Sequence, residues 1–585
     1  MYFEFLMITA GAGVGTPLQA SSNVFTVRPF GLDIDFPTAT PGSEGRDAND
    51  SADASYAEDA DGNVFSVAGV GFNTRVRGVQ YDVADDVNTD GIPDVDSELW
   101  NNSGTPNFGN DSTATTYKVK VNSTTIAPLG GYGALTNNEF ATFSDGAQTH
   151  TMTFDEVGII DLEASLLQTA DDMAANYLLS GVQLTGHVRD VGRFYPASFE
   201  LFGGSILARA RASMEAMCIN PTSPFTYMGE ELQISAMLEA QNAAGVRTRN
   251  YVDDGVSADD YAKLDISDLT VGGSILANIF IFEELVGVDT NLWERSFPGS
   301  IAPDVTWPDG AAAEPDRGIG MLSGNLIFSK QLNGSEDGPY TDLSIGLKTS
   351  DDDGAALELG IDIDEAMPIA NDVALISTES FRYGRLMIDN AFGPETEDLA
   401  IPFRIEYWNG SYWATNTLDS CTILTYDAPE DDTALRSVFY VDDSWEGALD
   451  GDSDGQDDGE TVIESAAVIA DSIITTSMSG GLTDESSGVD VNTDNVDDDR
   501  PLITSAPGEG FEGSVLVEFN LFDPDLPYPL DFLSYDWRST VEIDVLSDVE
   551  DGSYVNNPRG QINFGSYRGH DRVINWQEIY IGPTI

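Results

Sequence analysis

Basic residues are scarce. The 585-residue chain sets 26 Lys and Arg against 100 Asp and Glu, for a formal net charge of −74. Nucleic acids and anionic membrane surfaces are held by lysines and arginines that displace counterions, so such a field argues against both as partners. It attracts divalent cations instead, and it favours solubility where salt screens the self-repulsion. Cysteine is almost missing. Only Cys218 and Cys421 occur, with no Cys-x-x-Cys, which argues against structural zinc. A disulfide between them would close a loop of about two hundred residues, worth on the order of 5 kcal/mol in a chain-entropy model. The residues leave open a bridge or two buried thiols. No run approaches ~20 apolar residues, so no membrane-spanning helix is expected. The opening MYFEFLMITAGAGVG is apolar but lacks a basic flank, making it a poor signal peptide. It reads as the inside of something longer.

Apolar residues make up 41% of the chain, enough for real cores. At roughly 100–200 residues per domain, the length suggests about three or four domains. Strand signals dominate. Thr115 to Thr125 alternates around Tyr117, Val119 and Val121, and Ser514 to Phe522 sets Val515, Val517 and Phe519 on one face. In AIPFRIEYWNGSYW, Ile401, Phe403, Ile405 and Tyr407 point one way, and Asn409-Gly410 supplies a turn tolerant of positive φ. Frequent Gly and Pro between such runs predict an all-β chain of tandem, immunoglobulin-like β-sandwiches with few short helices. Ser165 to Leu179 is one helix candidate, and Ala208 to Cys218 reads as helix or strand. The boundaries expected are 1–29 as the end of a preceding segment or linker, then sandwiches over 30–192, 193–370 and 371–585. Gly-Gly-Ser-Ile-Leu-Ala occurs at Gly203–Ala208 and Gly272–Ala277, too short to establish a repeat.

Three acidic stretches have the spacing of calcium loops. In the first, Asp86, Asn88, Asp90, Gly91 and Asp94 hold positions 1, 3, 5, 6 and 9, with the carbonyl of Ile92 at position 7. Hard oxygens at alternate positions converge on one ion as the backbone curls, and glycine at the sixth position permits the left-handed turn. Asp450, Asp452, Asp454, Gly455 and Asp458 match the same places. Asp490, Asn492, Asp494 and Asp498 match with Asn495 in place of glycine. All three lack the bidentate Glu at position 12, where Ser97, Thr461 and Pro501 stand. Structural Ca²⁺ is the expected cofactor, and a solvated acidic turn is the competing reading.

Catalytic patterns are lacking. There is no Gly-x-Ser-x-Gly, Walker loop, His-Glu-x-x-His or dinucleotide fingerprint, and the only histidines are His150, His187 and His570. No catalytic residue is expected. Two aromatic groups could stack on sugars: Tyr407, Trp408, Tyr412 and Trp413, and Tyr535, Trp537, Trp576 and Tyr580. Alternation assigns about half of them to cores.

Several segments fall together: GFNTRVRGVQYDVADDVNTDGIPDVDSELWNNSGTPNFGND (Gly71 to Asp111), GRFYPASFEL (Gly192 to Leu201), FTYMGEELQISAMLEAQNAAGVRTRNY (Phe225 to Tyr251), FRYGRLMIDNAFGPETEDLAIPFRIEYWNGSYWATNTLDSCT (Phe381 to Thr422) and GSYVNNPRGQINFGSYRGHDRVINWQEIY (Gly552 to Tyr580). In this order they resemble the large C-terminal region of the MshQ family, from the gene cluster for mannose-sensitive haemagglutinin (MSHA) type IV pili of aquatic Gram-negative bacteria. The resemblance runs from about Phe25 to Tyr580. It implies an exported protein, extracellular, pilus-associated or at the outer cell surface, with pilus or envelope proteins and surface glycans as partners. It implies no established catalysis. Many relatives carry a concanavalin-like lectin domain ahead of this region, which this sequence does not include. The cysteines before FTYM and in DSCT are family features, so the resemblance favours a Cys218–Cys421 bridge. The function expected is a calcium-stabilised structural or adhesive component of an MSHA-type pilus system. The alternative is a secreted polysaccharide-binding module or glycan-acting enzyme.

Overall fold

The computed structural model describes residues 27–37, 57–94, 99–109, 117–167, 183–209, 224–255, 260–266, 279–282, 295–313, 315–331, 335–360, 373–394, 403–419 and 422–427, with shorter segments elsewhere between 399 and 564. Among them regular structure is strand throughout, apart from one-turn 3-10 helices such as Val83–Asp85 and Asp531–Leu533.

The first sandwich pairs Gly31–Asp35, Gly71–Val79, Ala147–Phe154 and Leu135–Thr136 in one sheet. The other runs Val64–Val67, Thr185–Tyr195, Gly158–Leu166, Val119–Ala127 and Glu139–Phe140. Alternation sends Leu32, Ile34, Phe72 and Val76 from the first sheet against Val119, Val121, Ile160 and Leu162 from the second. Phe65, Phe72, Phe154 and Phe194 close that core with ring centroids 5.0–5.5 Å apart.

The second sandwich repeats the plan. Ser296–Pro298, Ile319–Phe328, Glu231–Gln241, Ser198–Leu207 and Ala356–Leu357 form one sheet, with Asp304–Thr306 on Ile319–Phe328. Thr226–Tyr227, Ala374–Arg382, Tyr340–Leu347 and Ile279–Phe282 form the other. Leu232, Ile234, Leu238, Leu322 and Leu326 meet Leu343, Ile345 and Ile376 between them. In the third sandwich Gly384–Ile388 pairs with Phe403–Trp408, while Ala391–Gly393, Arg559–Phe564, Gly513–Phe519 and Phe439–Asp442 make a second sheet. The expected strands around Val119, Phe403 and Val515 are present. The turn after Trp408 carries Gly410 at φ 93°. Of the two helix candidates, Ser165 and Leu166 end a strand, and most of the rest lies outside the described residues.

One topological signature recurs three times. A short early strand runs parallel to the last described strand of its sandwich: Val64–Val67 with Thr185–Tyr195, Thr226–Tyr227 with Ala374–Arg382, and Ala391–Gly393 with Arg559–Phe564. The last strand then feeds directly into the next sandwich. Only Pro196 and Ala197 separate Tyr195 from Ser198, and only Tyr383 separates Arg382 from Gly384. These domains have no linkers in the ordinary sense.

Candidate functional site

The first acidic loop hangs from the end of Gly71–Val79. Beside the start of that strand, Ala68 accepts a hydrogen bond at 2.9 Å from Ala243 of the second sandwich. Nine residues at ~3.3 Å each then carry the chain to the opposite end of the first sandwich. There Gln80 N–H donates to Ser103 O at 2.7 Å. The Asn102 amide ties the loop to that end, donating to Gln80 O at 3.2 Å and to Asp85 Oδ2 at 2.9 Å.

Inside the loop the carboxylates face its own amides. Asp86, only 1% exposed, accepts from Asp90 N at 3.0 Å and Gly91 N at 2.8 Å. Asn88 Oδ1 accepts from Asp90 N at 2.9 Å, and Asp90 Oδ1 from Ile92 N at 2.8 Å. Asp94 Oδ2 accepts from Val87 N at 2.8 Å. Gly91 takes φ 77°, as position 6 requires, and Thr89 is left-handed at φ 59°. Val83 and Val87 point outward, 68% and 82% exposed. Arg28, just before the first strand, donates to the carbonyl of Gly91. Burial lowers its pKa, and the nearby Asp90 carboxylate opposes that.

The donor set suits a hard cation: carboxylate or amide oxygens at Asp86, Asn88, Asp90 and Asp94, and the peptide oxygen of Ile92. In the closed loop, Asp86 and Asp90 are turned to backbone N–H groups. Among the described residues no three His, Cys, Asp or Glu side chains gather about one point. The other two loops, Asp450, Asp452, Asp454 and Asp458, and Asp490, Asn492, Asp494 and Asp498, lie outside the described residues, as do Cys218, Cys421 and His570.

His150 stands on a strand 5.7 Å from the Phe140 ring, and His187 lies across from Glu163 in the adjacent strand. Of the hairpin aromatics, Tyr407 lies under the Arg382 guanidinium at 4.3 Å and Trp413 under that of Arg385 at 3.9 Å. Trp408 and Trp413 pack against the second sandwich's core. Tyr412 is the one of the four left exposed, at 64%. Tyr535 packs edge-on against Trp413 at 5.0 Å, whereas Trp537, Trp576 and Tyr580 lie outside the described residues.

Two buried cations went unread in the sequence. Arg209 and Lys330 sit where the second and third sandwiches meet, with hydrogen bonds that cross between them. A lone basic residue at the end of a strand gives no periodic signal, and Arg209 falls in the stretch Ala208 to Cys218 that reads as helix or strand.

Linkerless sandwiches with an acidic loop at one end define a class of tandem β-domain protein. The chain belongs to the DUF6701 family: it matches that family's second domain over residues 28–153, its third over 156–370 and its fourth over 382–579. No curated protein matches the sequence. Among solved structures it is similar to invasin, described as a bacterial integrin-binding protein, at 8% identity and TM-score 0.18, covering 78% of this chain and 55% of that one. A titin I-band fragment, I67–I69, shows 6% identity and TM-score 0.19, covering 85% and 94%. A putative membrane-anchored protein from Corynebacterium diphtheriae shows 10% identity and TM-score 0.13, covering 60% and 58%. Scores of this size carry no functional argument. Among the described residues no helix is long and apolar enough to cross a membrane, which says nothing of a β-barrel.

Proposed function

We propose that the chain is a surface-displayed structural or adhesive component of an MSHA-type IV pilus system, stiffened by calcium and without catalytic activity. The observation that carries this reading is the linkerless succession of sandwiches, in which one final strand becomes the next initial strand across one or two residues. That geometry suits a shaft that holds a surface at a distance. The family membership and the ordered MshQ-like segments support the pilus assignment.

Calcium enters at the Asp86–Asp94 loop. Its acidic side chains repel one another, and a divalent ion relieves that repulsion while ordering the turn. A site with the weak affinity of extracellular modules, filled to a hundred times its Kd, adds about 2.7 kcal/mol. The full chain is therefore expected to melt higher in 5–10 mM Ca²⁺ than in chelator, and Asp90→Ala to lose part of that shift. Identical melting curves in calcium and chelator would remove calcium from the proposal. For the pilus role, antibody against the chain should label intact cells and co-sediment with sheared pili. Labelling only after lysis would overturn it.

A further inference from the structure

The joint between the second and third sandwiches is furnished with more buried charge than a passive contact needs. At the end of Ser198–Leu207, Arg209 turns its guanidinium inward, its side chain 3% exposed. Nε donates to both oxygens of Glu230 in its own sandwich at 3.0 Å. Nη1 donates to Asp419 Oδ1 at 2.8 Å and Nη2 to Thr422 Oγ1 at 2.7 Å, both in the next. Tyr227 reaches across as well: its hydroxyl donates to Asp419 Oδ2 at 2.8 Å and accepts from Asn416 Nδ2 at 2.5 Å. The Tyr227 ring stacks on Phe532 at 5.6 Å. Burial pushes the Asp419 carboxyl up, but Arg209, Thr422 and Tyr227 hold it below the usual carboxylate range.

A second point of attachment lies beside the chain crossing itself. Lys330, at the end of the strand Ile319–Phe328, donates from Nζ to Gly384 O at 2.9 Å and to Ser534 O at 2.6 Å. It lies 4.6 Å from the Tyr383 ring, the single residue between the sandwiches. Tyr535 bonds Glu336 across the same boundary. Tyr383 and Tyr535 belong to the same buried apolar cluster as Leu232 and Ile345 of the second sandwich, so the apolar interior is continuous through the joint.

We propose that Arg209 on Asp419 and Lys330 on the carbonyls of Gly384 and Ser534 form a two-point latch that makes these two sandwiches one cooperative, unbending unit. The chain crossing at Tyr383 with a single attachment would leave an axis about which the domains could swing. A second attachment away from that axis removes it: Lys330 holds the crossing itself, and Arg209 bonds Asp419 and Thr422, farther along the third sandwich. Opening the joint gives up together the hydrogen bonds that Arg209 and Lys330 make across it, which makes the open state rare. The latch is independent of the calcium and pilus readings.

Hydrogen exchange on the full chain tests this, read peptide by peptide. In the native sequence, Ala374–Arg382 and Gly384–Ile388, on opposite sides of Tyr383, should exchange at matching rates. Asp419→Asn combined with Lys330→Met should raise exchange in Gly384–Ile388 and Phe403–Trp408 at least tenfold over Ile319–Phe328. Gly71–Val79 in the first sandwich should be unchanged and reports that the chain has folded. Lys330→Met alone, apolar and of similar length, supplies the variant most certain to fold and should give a smaller uncoupling in the same direction. Independent exchange on the two sides in the native chain would overturn the latch. So would variants in which both sides stay protected or lose protection equally.

Discussion

Lys330 shows how one residue can set a pH dependence for a whole joint. Burial drives its pKa down to about 7, against the opposing pull of Asp531 and Asp337. A lysine whose folded value lies below its unfolded value of ~10.4 binds fewer protons folded than unfolded between those limits, so stability rises with pH across that window. The full cost of the buried charge is present below about pH 7. The expected outcome is a urea midpoint for the second and third sandwiches that climbs from pH 7 to 9, equivalent to about 2 kcal/mol. Lys330→Met should flatten that climb. A climb of equal slope in the variant would assign the effect to other groups. None of this was legible in the sequence. Lys330 stands in IFSKQLNG, which reads as a strand running into a turn, and nothing local marks the lysine as buried against the carbonyls of residues 54 and 204 positions away.

At the scale of single elements, the sequence spoke clearly wherever alternation was strict. Phe403 and Ile405 are buried as expected, as are Val119 and Val121, because an antiparallel sheet with one face on a core imposes period two. It spoke less clearly where an element is bent for the sake of a neighbour. In Ser198–Leu207 the pairing with Glu231–Gln241 slips between Phe202 and Ser205, leaving Gly203 and Gly204 in a bulge. A Cβ on Gly204 would lie 2.0 Å from the carbonyl oxygen of Ile376 in the facing sheet. Here Gly-Gly is a contact requirement, which a hexapeptide shared with residues 272–277 did not disclose. Gly204→Ala should cost about 2–3 kcal/mol, since the obstacle is backbone. Gly104→Ala, with nothing within 4 Å, should be within about 0.5 kcal/mol of neutral. Urea midpoints of the two variants check the contrast. In the acidic loop, Thr89 is β-branched at φ 59°, a conformation costing ~1–2 kcal/mol for such a residue. Thr89→Asn should therefore raise the melting temperature of the first sandwich, and an unchanged or lower value would show that the loop does not carry that strain. The left-handed turn at Gly91 was legible from its place in the acidic spacing. The burial of Asp86 against the loop amides of Asp90 and Gly91 was not, because spacing alone does not say which carboxylate turns in.

Over the whole molecule the dominant quantity is charge, and two mechanisms by which ions could stabilise the chain have to be told apart. The few basic residues are heavily committed: Arg75 and Arg77 pair with Asp35 and Asp33, Arg193 forks onto Asp353, Arg295 bonds Asp337, and Arg385 and Arg404 share Glu406. They hold sheets and joints together and leave a formal charge of −74 to repel itself across the surface. Monovalent salt acts on that repulsion alone, shortening the Debye length from ~10 Å at 0.1 M to ~3 Å at 1 M. It should raise the melting of every sandwich together, by several degrees, and sodium and potassium should be interchangeable. A bound divalent ion acts locally. At matched ionic strength, the proposed calcium binding should add a further shift confined to domains that hold an acidic loop of that spacing, the first sandwich among them, and Asp90→Ala should lessen the first sandwich's share of it without touching the response to sodium. If calcium and sodium at equal ionic strength give the same curve, the carboxylates act only as a diffuse field, and the spacing of Asp86, Asn88, Asp90 and Asp94 has no bearing on stability.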